Sequence, residues 1–279
     1  NENYNSKNLD LSSIKIITST GSPLAEESFK YVYENIKQDV HLASIAGGTD
    51  LVGCLVLGNV YSNVYKGEIQ GQSLGIDVDV FTDDGKSTSD SEKGELVVKQ
   101  PFPSMPVKFW DDDDGQKYYK AYFTRFKNIW HHGDFIEKTS NNGFIMRGRS
   151  DATLNPGGVR IGTSEIYQQV EDINFITEGL VVGQKYNDDI RIILFITTKN
   201  NQELDEEKIK SIKSKIRKNC SPKHVPASII KVPEIPRTKS GKIVELAVRK
   251  IINGEEIDNK EAIANPSCLD YFKNLKELK

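Results

Sequence analysis

The pattern of apolar and polar positions near the start of the chain predicts a short βαβ fragment. A strand over Ile14–Ser19 is followed by a turn at Gly21-Ser22-Pro23 and by an amphipathic helix over Leu24–Ile36. A second short strand is predicted over His41–Ile45. These elements indicate the end of an α/β subdomain.

From about Gly67 to Gly148 the pattern changes to short β-type runs separated by turn residues. The predicted strands are Gly75–Thr82, Glu95–Gln100, Ile129–Lys138 and Gly143–Arg149. We expect a small antiparallel sheet or a β-barrel-like subdomain here. The run Asp111–Asp114 fails the EF-hand spacing, because Trp110 stands where the first ligand should be, and it is predicted to be a solvated acidic loop.

After Asp151 a third pattern predicts a separate α/β domain. Its predicted elements are a helix near Ser164–Ile173, β runs at Glu178–Gln184 and Ile190–Thr197, a charged helix over Asp205–Cys220, a strand near Ser228–Val232, a helix over Ile243–Ile252 and a partly helical tail over Asn259–Lys279. We therefore expect two domains, 1–150 and 151–279, the first divided into a βαβ fragment (about 1–65) and a β-rich part (about 66–150).

The charge balance argues against a polyanionic partner. The 279 residues carry 37 Lys and Arg against 40 Asp and Glu, which gives a net charge of −3. This balance gives no broad attraction to nucleic acid or anionic lipid, so a small-molecule partner is expected.

The apolar stretches and the cysteines favour a soluble protein of the reducing cytoplasm. Leu51–Leu57 and Ile190–Ile196 are too short to cross a bilayer, and Asn1–Asp10 lacks the pattern of a secretory signal. The three cysteines are scattered, which argues against a disulfide framework or a thiolate zinc site.

The segment Ser44–Asp50 is the first candidate for chemistry. Gly47 and Gly48 allow a ligand to approach the backbone closely, Thr49 can donate to a phosphate oxygen, and Asp50 can hold Mg²⁺. The same residues also suit an ordinary strand-ending turn, and the motif alone does not separate the two interpretations.

A carboxylate inside a predicted strand is the second candidate. Asp134 follows Gly133 and can accept hydrogen bonds from two vicinal ribose hydroxyls. The alternative is an ordinary Gly-Asp turn beside a packed or solvated pair, His131 and His132. No third ligand with zinc spacing follows, so a zinc site is not expected.

Two further segments are basic. Arg147–Ile166 contains three arginines, four glycines and a predicted helix start with Thr163 or Ser164 available as a cap, which favours an anion-binding role. Ile235–Ile243 fails the phosphate-loop pattern, since Pro236 stands where the first glycine should be, so a solvated basic loop remains open.

Taken in order, these segments resemble the later core motifs of the adenylate-forming superfamily, which includes acyl-CoA synthetases, luciferases and peptide-synthetase adenylation domains. The resemblance runs from about Lys15 to the C-terminus. The matching positions are Gly21-Ser22-Pro23 (adenine-side turn), Gly48-Thr49-Asp50 (nucleotide turn), Gly133-Asp134 (ribose), Gly148–Asp151 (hinge at Asp151) and Gly241-Lys242 (catalytic lysine). The resemblance implies the family's fold, including a mobile C-terminal domain.

The resemblance also implies a two-step reaction, in which ATP activates a carboxylate as an acyl-adenylate and the CoA thiol then displaces AMP. Asp134 and Arg149 are expected at the ribose and Thr49 at the α-phosphate. Asp50 is expected to hold Mg²⁺ and Lys242 to contact the substrate carboxylate and the bridging phosphate oxygens.

After a domain rotation about Asp151, Gly157 and Gly158 would lie along the pantetheine and Arg160 near a CoA phosphate.

Longer ungapped stretches resemble the acetoacetate-activating ligases of this superfamily, and this resemblance implies acetoacetate as the acid. The stretches are Pro103–Trp110, Trp130–Asp134, Gly148–Glu165 and Pro236–Val248. Two departures from the superfamily pattern stand out: Asp50 replaces the usual Glu, and Ala46-Gly47-Gly48 stands where acetate-specific relatives carry bulky aromatic residues, which leaves room for a longer acyl chain.

Two alternatives stay open at this point: a ligase for acetate or propionate, and a truncated, non-catalytic adenylate-binding module. The second arises because neither Asn1–Asn8 nor any other segment supplies the family's Ser/Thr/Gly-rich phosphate loop. The N-terminal half of such an enzyme would be needed to complete the site.

Overall fold

The computed structural model describes residues 9–257 and 260–278. The segment Asn1–Asn8, which supplies no phosphate loop, therefore lies outside the described residues. So do Asp258 and two positions of the predicted tail, Asn259 and Lys279. The chain divides into two compact units, the first ending at Met146 and the second beginning at Arg147. The sequence places the domain boundary slightly later, after Ser150.

The first unit begins with the predicted βαβ fragment. Strand β1 (Ile16–Ser19) pairs in parallel with β2 (His41–Ser44), from Ile16 opposite His41 to Ser19 opposite Ser44. The connecting helix α1 (Glu26–Tyr31) continues as a π-helical turn over Val32–Ile36. The predicted fragment is confirmed, with a shorter regular helix than the apolar pattern indicates.

Two antiparallel sheets follow in the first unit. Strands β3 (Ala46–Gly48), β4 (Gly53–Leu57) and β5 (Gly71–Gln72) form one sheet. The other contains β6 (Val78–Phe81), β7 (Lys93–Val98), β8 (Trp130–Lys138) and β9 (Phe144–Arg149), each beside the next. Because β6 and β9 are edges that do not pair with each other, both sheets are open. Of the two expected forms, the small antiparallel sheet is confirmed and a closed barrel is not formed, since four short strands do not curl far enough to close.

The acidic run is not simply solvated, which corrects the sequence prediction. Asp112 is buried, and its two carboxylate oxygens accept hydrogen bonds from the backbone N–H groups of Lys117 and Tyr118, each at 2.8 Å. It thereby satisfies the first turn of helix α2 (Gln116–Tyr122), a helix that the pattern does not predict. The neighbouring Trp110 is 97% exposed.

The second unit is built on a three-stranded sheet. Strands β10 (Ile176–Tyr186) and β11 (Asp189–Thr198) form a hairpin whose two-residue turn, Asn187-Asp188, has positive φ at both positions. Strand β12 (Ser228–Lys231) pairs with β11 in parallel. The helices are α3 (Thr163–Val170), α4 (Glu206–Asn219) and α5 (Glu245–Ile252).

Strand β11 is buried on both faces, which explains its unbroken apolar run. Ile192 and Leu194 pack in one core with residues of α3 and α4. Ile193 and Phe195 pack in the other core with Val248 of α5 and with the 3₁₀ turns over Pro266–Phe272 and Lys276–Leu278. The predicted α/β domain is therefore a sheet covered on both sides.

Among the described residues, no helix combines the length and apolar character that crossing a membrane requires.

Candidate active site

Two of the segments that resemble nucleotide-binding motifs each follow one strand of the parallel pair β1–β2 in the chain. Strand β1 ends at Ser19, just before Gly21-Ser22-Pro23, and β2 ends at Ser44, after which the chain forms β3 and then the turn that contains Thr49. The backbone N–H of Ile45 donates to the carbonyl oxygen of Ser19 at 2.9 Å. Gly21-Ser22-Pro23 is thus exposed at the carboxyl end of a parallel strand, where open α/β sheets bind their ligands, and Thr49 is exposed at the end of β3.

The glycines of β3 permit close contacts. A Cβ at Gly47 would lie 2.1 Å from the carbonyl oxygen of Gly53, and a Cβ at Gly48 would lie 2.9 Å from Cε1 of His132. The missing side chain at Gly48 thus allows the turn before Thr49 and Asp50 to pack against the His132 ring. Thr49 and Asp50 themselves are exposed.

Alternate residues of β8 form a polar line on one face of the strand. The indole Nε1 of Trp130 donates to Nδ1 of His132 at 3.3 Å, and Nε2 of His132 lies 3.6 Å from Oδ2 of Asp134. His131 faces the other way, with its Nε2 at 2.8 Å from Oε2 of the buried Glu95. The two histidines are therefore packed in different environments.

Tyr122 links this line to the turn after β3, and the sequence pattern does not single out this tyrosine. Its hydroxyl donates to Oδ2 of Asp50, and its ring stacks on Trp130 with centroids 3.6 Å apart and planes 13° from parallel. The spacing of Tyr118 and Tyr122 at i and i+4 is the signal that could have predicted a helix presenting aromatic rings to one side.

A magnesium ion fits the first unit only together with a nucleotide. No group of three His, Cys, Asp or Glu residues that could hold a metal occurs within 9–257 and 260–278. Mg²⁺ is usually held by one or two carboxylates together with substrate phosphates, which an exposed carboxylate such as Asp50 suits.

The predicted hinge segment contains a close backbone contact. Gly148 has φ of +115°, and a Cβ there would lie 2.8 Å from Oγ1 of Thr163. Asp151 lies in a 3₁₀ turn over Ser150–Ala152, and its carboxylate is 3.4 Å from Nε of Arg149. Its carbonyl oxygen accepts a hydrogen bond from the guanidinium of Arg249 in α5.

The start of α5 holds a partly buried carboxyl group. Tyr167 donates its hydroxyl to Oε1 of Glu245, and the Thr163 hydroxyl is a second hydrogen-bond partner of this carboxyl. The Tyr167 oxygen also accepts from the backbone N–H of Val181 at 3.1 Å. Burial raises the pKa of Glu245 above its usual 4.5, and burial beside this carboxyl raises the pKa of Tyr167 well above its usual range.

Lys242 lies in a tight hairpin-like loop. The backbone N–H of Thr238 donates to the carbonyl oxygen of Lys242 at 2.8 Å, and the N–H of Lys242 donates to Oγ1 of Thr238 at 3.0 Å. Gly241 takes the positive φ of +86° that this turn requires. The Lys242 side chain is exposed, and its ammonium has no hydrogen-bond or ion-pair partner among the residues described.

The Gly157-Gly158 turn is fixed by Asp189. The N–H of Gly157 lies 2.9 and 3.0 Å from the two carboxylate oxygens, and the N–H of Ile190 also donates to this carboxylate. These backbone hydrogen bonds lower the pKa of Asp189. Gly158 has open space beside it and borders a cleft of about 550 Å³ whose other lining residues are Asn155 and 185–190.

The structure brings Gly48, Asp50 and Asp134 into one neighbourhood through His132 and Tyr122, whereas no hydrogen bond among the described residues joins Gly21-Ser22-Pro23 to them. In the second unit it brings Arg149 and Asp151 together, whereas no described residue bonds to the Lys242 ammonium. Arg160 is partly buried.

Comparisons with known proteins identify the chain's relatives. No protein-family model matches it. The chain is 58% identical over 270 residues to the acetoacetyl-coenzyme A synthetase of Rhizobium meliloti (strain 1021), with 97% of the chain and 41% of that relative covered. It is 45% identical to the acetoacetyl-CoA synthetase of Gallus gallus, with 96% of the chain and 40% of that relative covered.

Solved structures give the same result. Acetoacetyl-CoA synthetase from Streptomyces lividans is 37% identical with a TM-score of 0.88, over 96% of this chain and 41% of that one. An anthranilate CoA ligase shares the fold at 20% identity, with a TM-score of 0.73 over 88% of this chain and 46% of that one.

The fold and these matches show that the chain is similar to adenylate-forming acyl-CoA synthetases. Within that class, it matches the C-terminal part of acetoacetyl-CoA synthetases. The chain spans about two fifths of the length of these relatives.

Proposed function

We propose that this chain forms the later part of a ligase that joins acetoacetate to CoA at the expense of ATP. In the first step a carboxylate oxygen attacks the α-phosphorus and pyrophosphate leaves. In the second step the thiol sulfur attacks the acyl carbon, AMP leaves and the thiol proton is lost to solvent. The observation that carries the proposal is the 58% identity to an acetoacetyl-coenzyme A synthetase over 97% of the chain.

The first unit would bind the nucleotide. Asp134 would offer its carboxylate to two ribose hydroxyls. The ring of His132, which accepts a hydrogen bond from Trp130, lies beside this carboxylate and restricts its position. Thr49 offers a hydroxyl to the α-phosphate from an exposed turn. Gly21-Ser22-Pro23 follows the carboxyl end of β1, where the adenine would be accommodated. Asp50 would hold Mg²⁺, which neutralises phosphate charge when bound.

Lys242 would be the principal catalytic residue of adenylation. Negative charge accumulates on the phosphoryl oxygens while an anionic carboxylate approaches, and an ammonium that reaches both lowers the barrier. The ammonium of Lys242 is exposed and has no partner among the described residues, so it is available for that contact. Arg149 would bind the ribose, and Asp151 would be the hinge position.

The second half-reaction would use Gly157, Gly158 and Arg160. Gly158 has open space where a side chain would project, which suits a thin pantetheine chain. Arg160 would contact a CoA phosphate.

Small residues in β3 support acetoacetate rather than acetate or propionate. Gly47 cannot take a Cβ without a 2.1 Å contact to the carbonyl oxygen of Gly53, so this part of the wall stays small. A small wall admits a longer acyl chain, but a pocket of this kind discriminates weakly against shorter acids. The rates on the three acids are therefore the decisive comparison.

The proposal is tested on a chimera that adds the part of a relative that this chain does not match. The ligase chimera is this chain joined to the unmatched part of the Rhizobium meliloti relative. We expect acetoacetate-dependent exchange of pyrophosphate into ATP, and slower exchange with acetate and propionate. The unmodified relative is the positive control. A soluble, cooperatively melting chimera that prefers acetate or propionate, or that is inactive, overturns the proposal.

One second candidate is a non-catalytic adenylate-binding module, which the exposed Thr49 and Asp50 and the nearby Asp134 would suit. We expect the chain alone to show little or no pyrophosphate release with acetoacetate. A non-hydrolysable acyl-adenylate analogue is the binding probe. Binding of this analogue by the chain, combined with an inactive chimera, would support the module.

A further inference from the structure

The carboxyl group of Glu245 has no part in the proposed chemistry, although it lies only three residues after Lys242. It is the first residue of α5 and bonds to two hydroxyls of α3, those of Tyr167 and Thr163. Tyr167 is itself fixed by the N–H of Val181 in β10, at 3.1 Å. A partly buried acid that joins two helices and a strand holds the start of α5 in one place.

A second contact ties α5 to the hinge segment of the same unit. One turn after Glu245, Arg249 donates to the carbonyl oxygen of Asp151. Thr163, which bonds to Glu245, has its hydroxyl 2.8 Å from the place where a Cβ of Gly148 would be. Helix α5 is therefore bonded directly to Asp151, at one end of the Gly148–Asp151 segment, and its partner Thr163 lies beside Gly148, at the other end.

The Lys242 loop is attached directly to this first turn. The N–H of Val244 donates to the carbonyl oxygen of Pro236 at 3.0 Å, and Ile243 forms a β-bridge with Arg237. Since the Lys242 ammonium has no bond of its own among described residues, its place depends on this loop and on where α5 begins.

We propose that Glu245 is a positioning residue for Lys242, which acts by bonding the first turn of α5 to Tyr167 and Thr163. This inference rests on the proposed function for its catalytic consequence, but its structural part concerns this chain alone. Charged groups near the carboxyl are Asp151, which disfavours its ionised form, and Arg149, which favours it. Gln at this position retains an oxygen that accepts from Tyr167, whereas Ala retains nothing.

The first experiment is amide hydrogen exchange on the 279-residue chain, which needs no activity. We expect Glu245→Ala to accelerate exchange at Lys242 and Val244 by about tenfold or more, and Glu245→Gln by less than about threefold. Glu206→Ala, at the exposed first residue of α4, is the matched control and should change neither amide. Unchanged exchange at Lys242, or equal acceleration throughout β10 and β11, overturns the inference.

The second experiment is a double-mutant cycle in the ligase chimera. We expect Glu245→Ala to lower adenylation about tenfold, but less than about twofold when Lys242→Ala is already present. Thioester formation from supplied acetoacetyl-adenylate should stay within about twofold of the unsubstituted chimera. A loss of the same size in both backgrounds, or in both half-reactions, assigns Glu245 a merely structural role.

The two proposals can fail separately. If the unsubstituted chimera shows no acetoacetate-dependent exchange, the proposed function fails and the hydrogen-exchange result alone decides whether Glu245 positions the loop. If the chimera is active and Glu245→Ala behaves like the unsubstituted protein in both experiments, the positioning role is wrong and the proposed function is unaffected.

Discussion

The Tyr122 hydroxyl donates a hydrogen bond to Oδ2 of Asp50, and this bond joins α2 to the turn after β3. The same tyrosine stacks on Trp130, which in turn donates to His132. One side chain therefore connects the carboxylate proposed for Mg²⁺ with the strand that carries Asp134.

Tyr122→Phe tests this connection because it removes the hydroxyl and keeps the stacked ring. In the ligase chimera we expect the Mg²⁺ concentration for half-maximal adenylation to rise about threefold or more. The reason is that the hydrogen bond which orients Asp50 contributes about 1 kcal/mol. Tyr119→Phe, in the same helix but 50% exposed, is the control. Equal Mg²⁺ dependence in both variants would contradict a role of Tyr122 in orienting Asp50.

Lys242→Ala tests the proposed catalytic lysine. We expect adenylation in the chimera to fall by about a hundredfold or more, as happens when other charge-stabilising groups are removed. Thioester formation from supplied acetoacetyl-adenylate should be largely retained. Lys239→Ala is the control, because Lys239 is an exposed lysine of the same loop. Single-turnover rates separate the two steps, and intact adenylation would show the Lys242 assignment to be wrong.

Gly148→Ala tests the close contact in the hinge segment. A Cβ would impose both an unfavourable positive φ and a 2.8 Å contact with Thr163, so we expect a loss of about 2–4 kcal/mol in the unfolding free energy of the second unit. Gly158→Ala has the positive φ without a neighbour and should cost only about 1 kcal/mol.

The readout for this pair is the hydrogen-exchange protection of β11 amides in urea. Adding Thr163→Ala to Gly148→Ala should recover part of the loss, because the clashing hydroxyl is then absent. Equal costs for Gly148→Ala and Gly158→Ala would mean that the contact with Thr163 has no energetic weight.

Glu245→Gln tests the raised pKa of the buried carboxyl. The folded chain retains the proton of Glu245 at pH values where the unfolded chain, with a pKa of 4.5, has lost it. The stability that this group contributes is therefore complete below the unfolded pKa and decreases as the pH rises through the folded pKa. Gln does not titrate. As the pH rises from 4.5 through the folded pKa of Glu245, the unfolding free energy of the variant should therefore increase relative to that of the parent chain.

Glu255→Gln is the control with the opposite sign. The ammonium of Lys185, 2.8 Å away, lowers the pKa of Glu255, so its contribution is present above 4.5 and is lost as the pH falls through the folded pKa. Protection of β11 amides, measured from about pH 4 to about pH 7, should show the two variants diverging from the parent chain in opposite directions. A constant difference for Glu245→Gln would contradict the raised pKa.

Asp189→Asn tests the support beneath the Gly157-Gly158 turn. The amide keeps one oxygen where the carboxylate presents two to the Gly157 N–H, so the turn should loosen. We expect the KM for CoA in the chimera to rise about threefold or more while the adenylation rate is unchanged. The neighbouring exposed Asp188→Asn is the control. An unaltered KM would show that this carboxylate does not serve the CoA step.

The hydrophobic pattern predicts those elements that are buried either on both faces or along one regular stripe. Strand β11 is predicted correctly because both its faces are covered. Helix α4 is predicted correctly because Ile212 and Ile216 form a regular buried stripe. The strands β3 and β5 are missed, since three and two residues are too few to show any period. Helix α2 is missed because its start depends on Asp112, whose burial depends on tertiary packing rather than on spacing.

The residues of the candidate site also fall into two groups, those that the local sequence can predict and those that it cannot. Residues within compact motifs, such as Thr49, Asp134 and Lys242, can be selected from local sequence because glycines and charges mark them. Tyr122 and Glu245 cannot, since each acts on a partner more than 70 residues away, Asp50 and Tyr167 respectively. Their proposed roles follow from contacts that only the folded chain creates.

The chain has two tryptophans, Trp110 and Trp130, and both lie in the first unit. Trp110 is 97% exposed and Trp130 2% exposed, so the first should emit at long wavelength and be quenched by acrylamide, while the second should emit at short wavelength and be shielded. Indole fluorescence therefore follows unfolding of the first unit alone. The second unit, without tryptophan, is silent in that signal, so the two melting processes can be separated optically without attaching a dye.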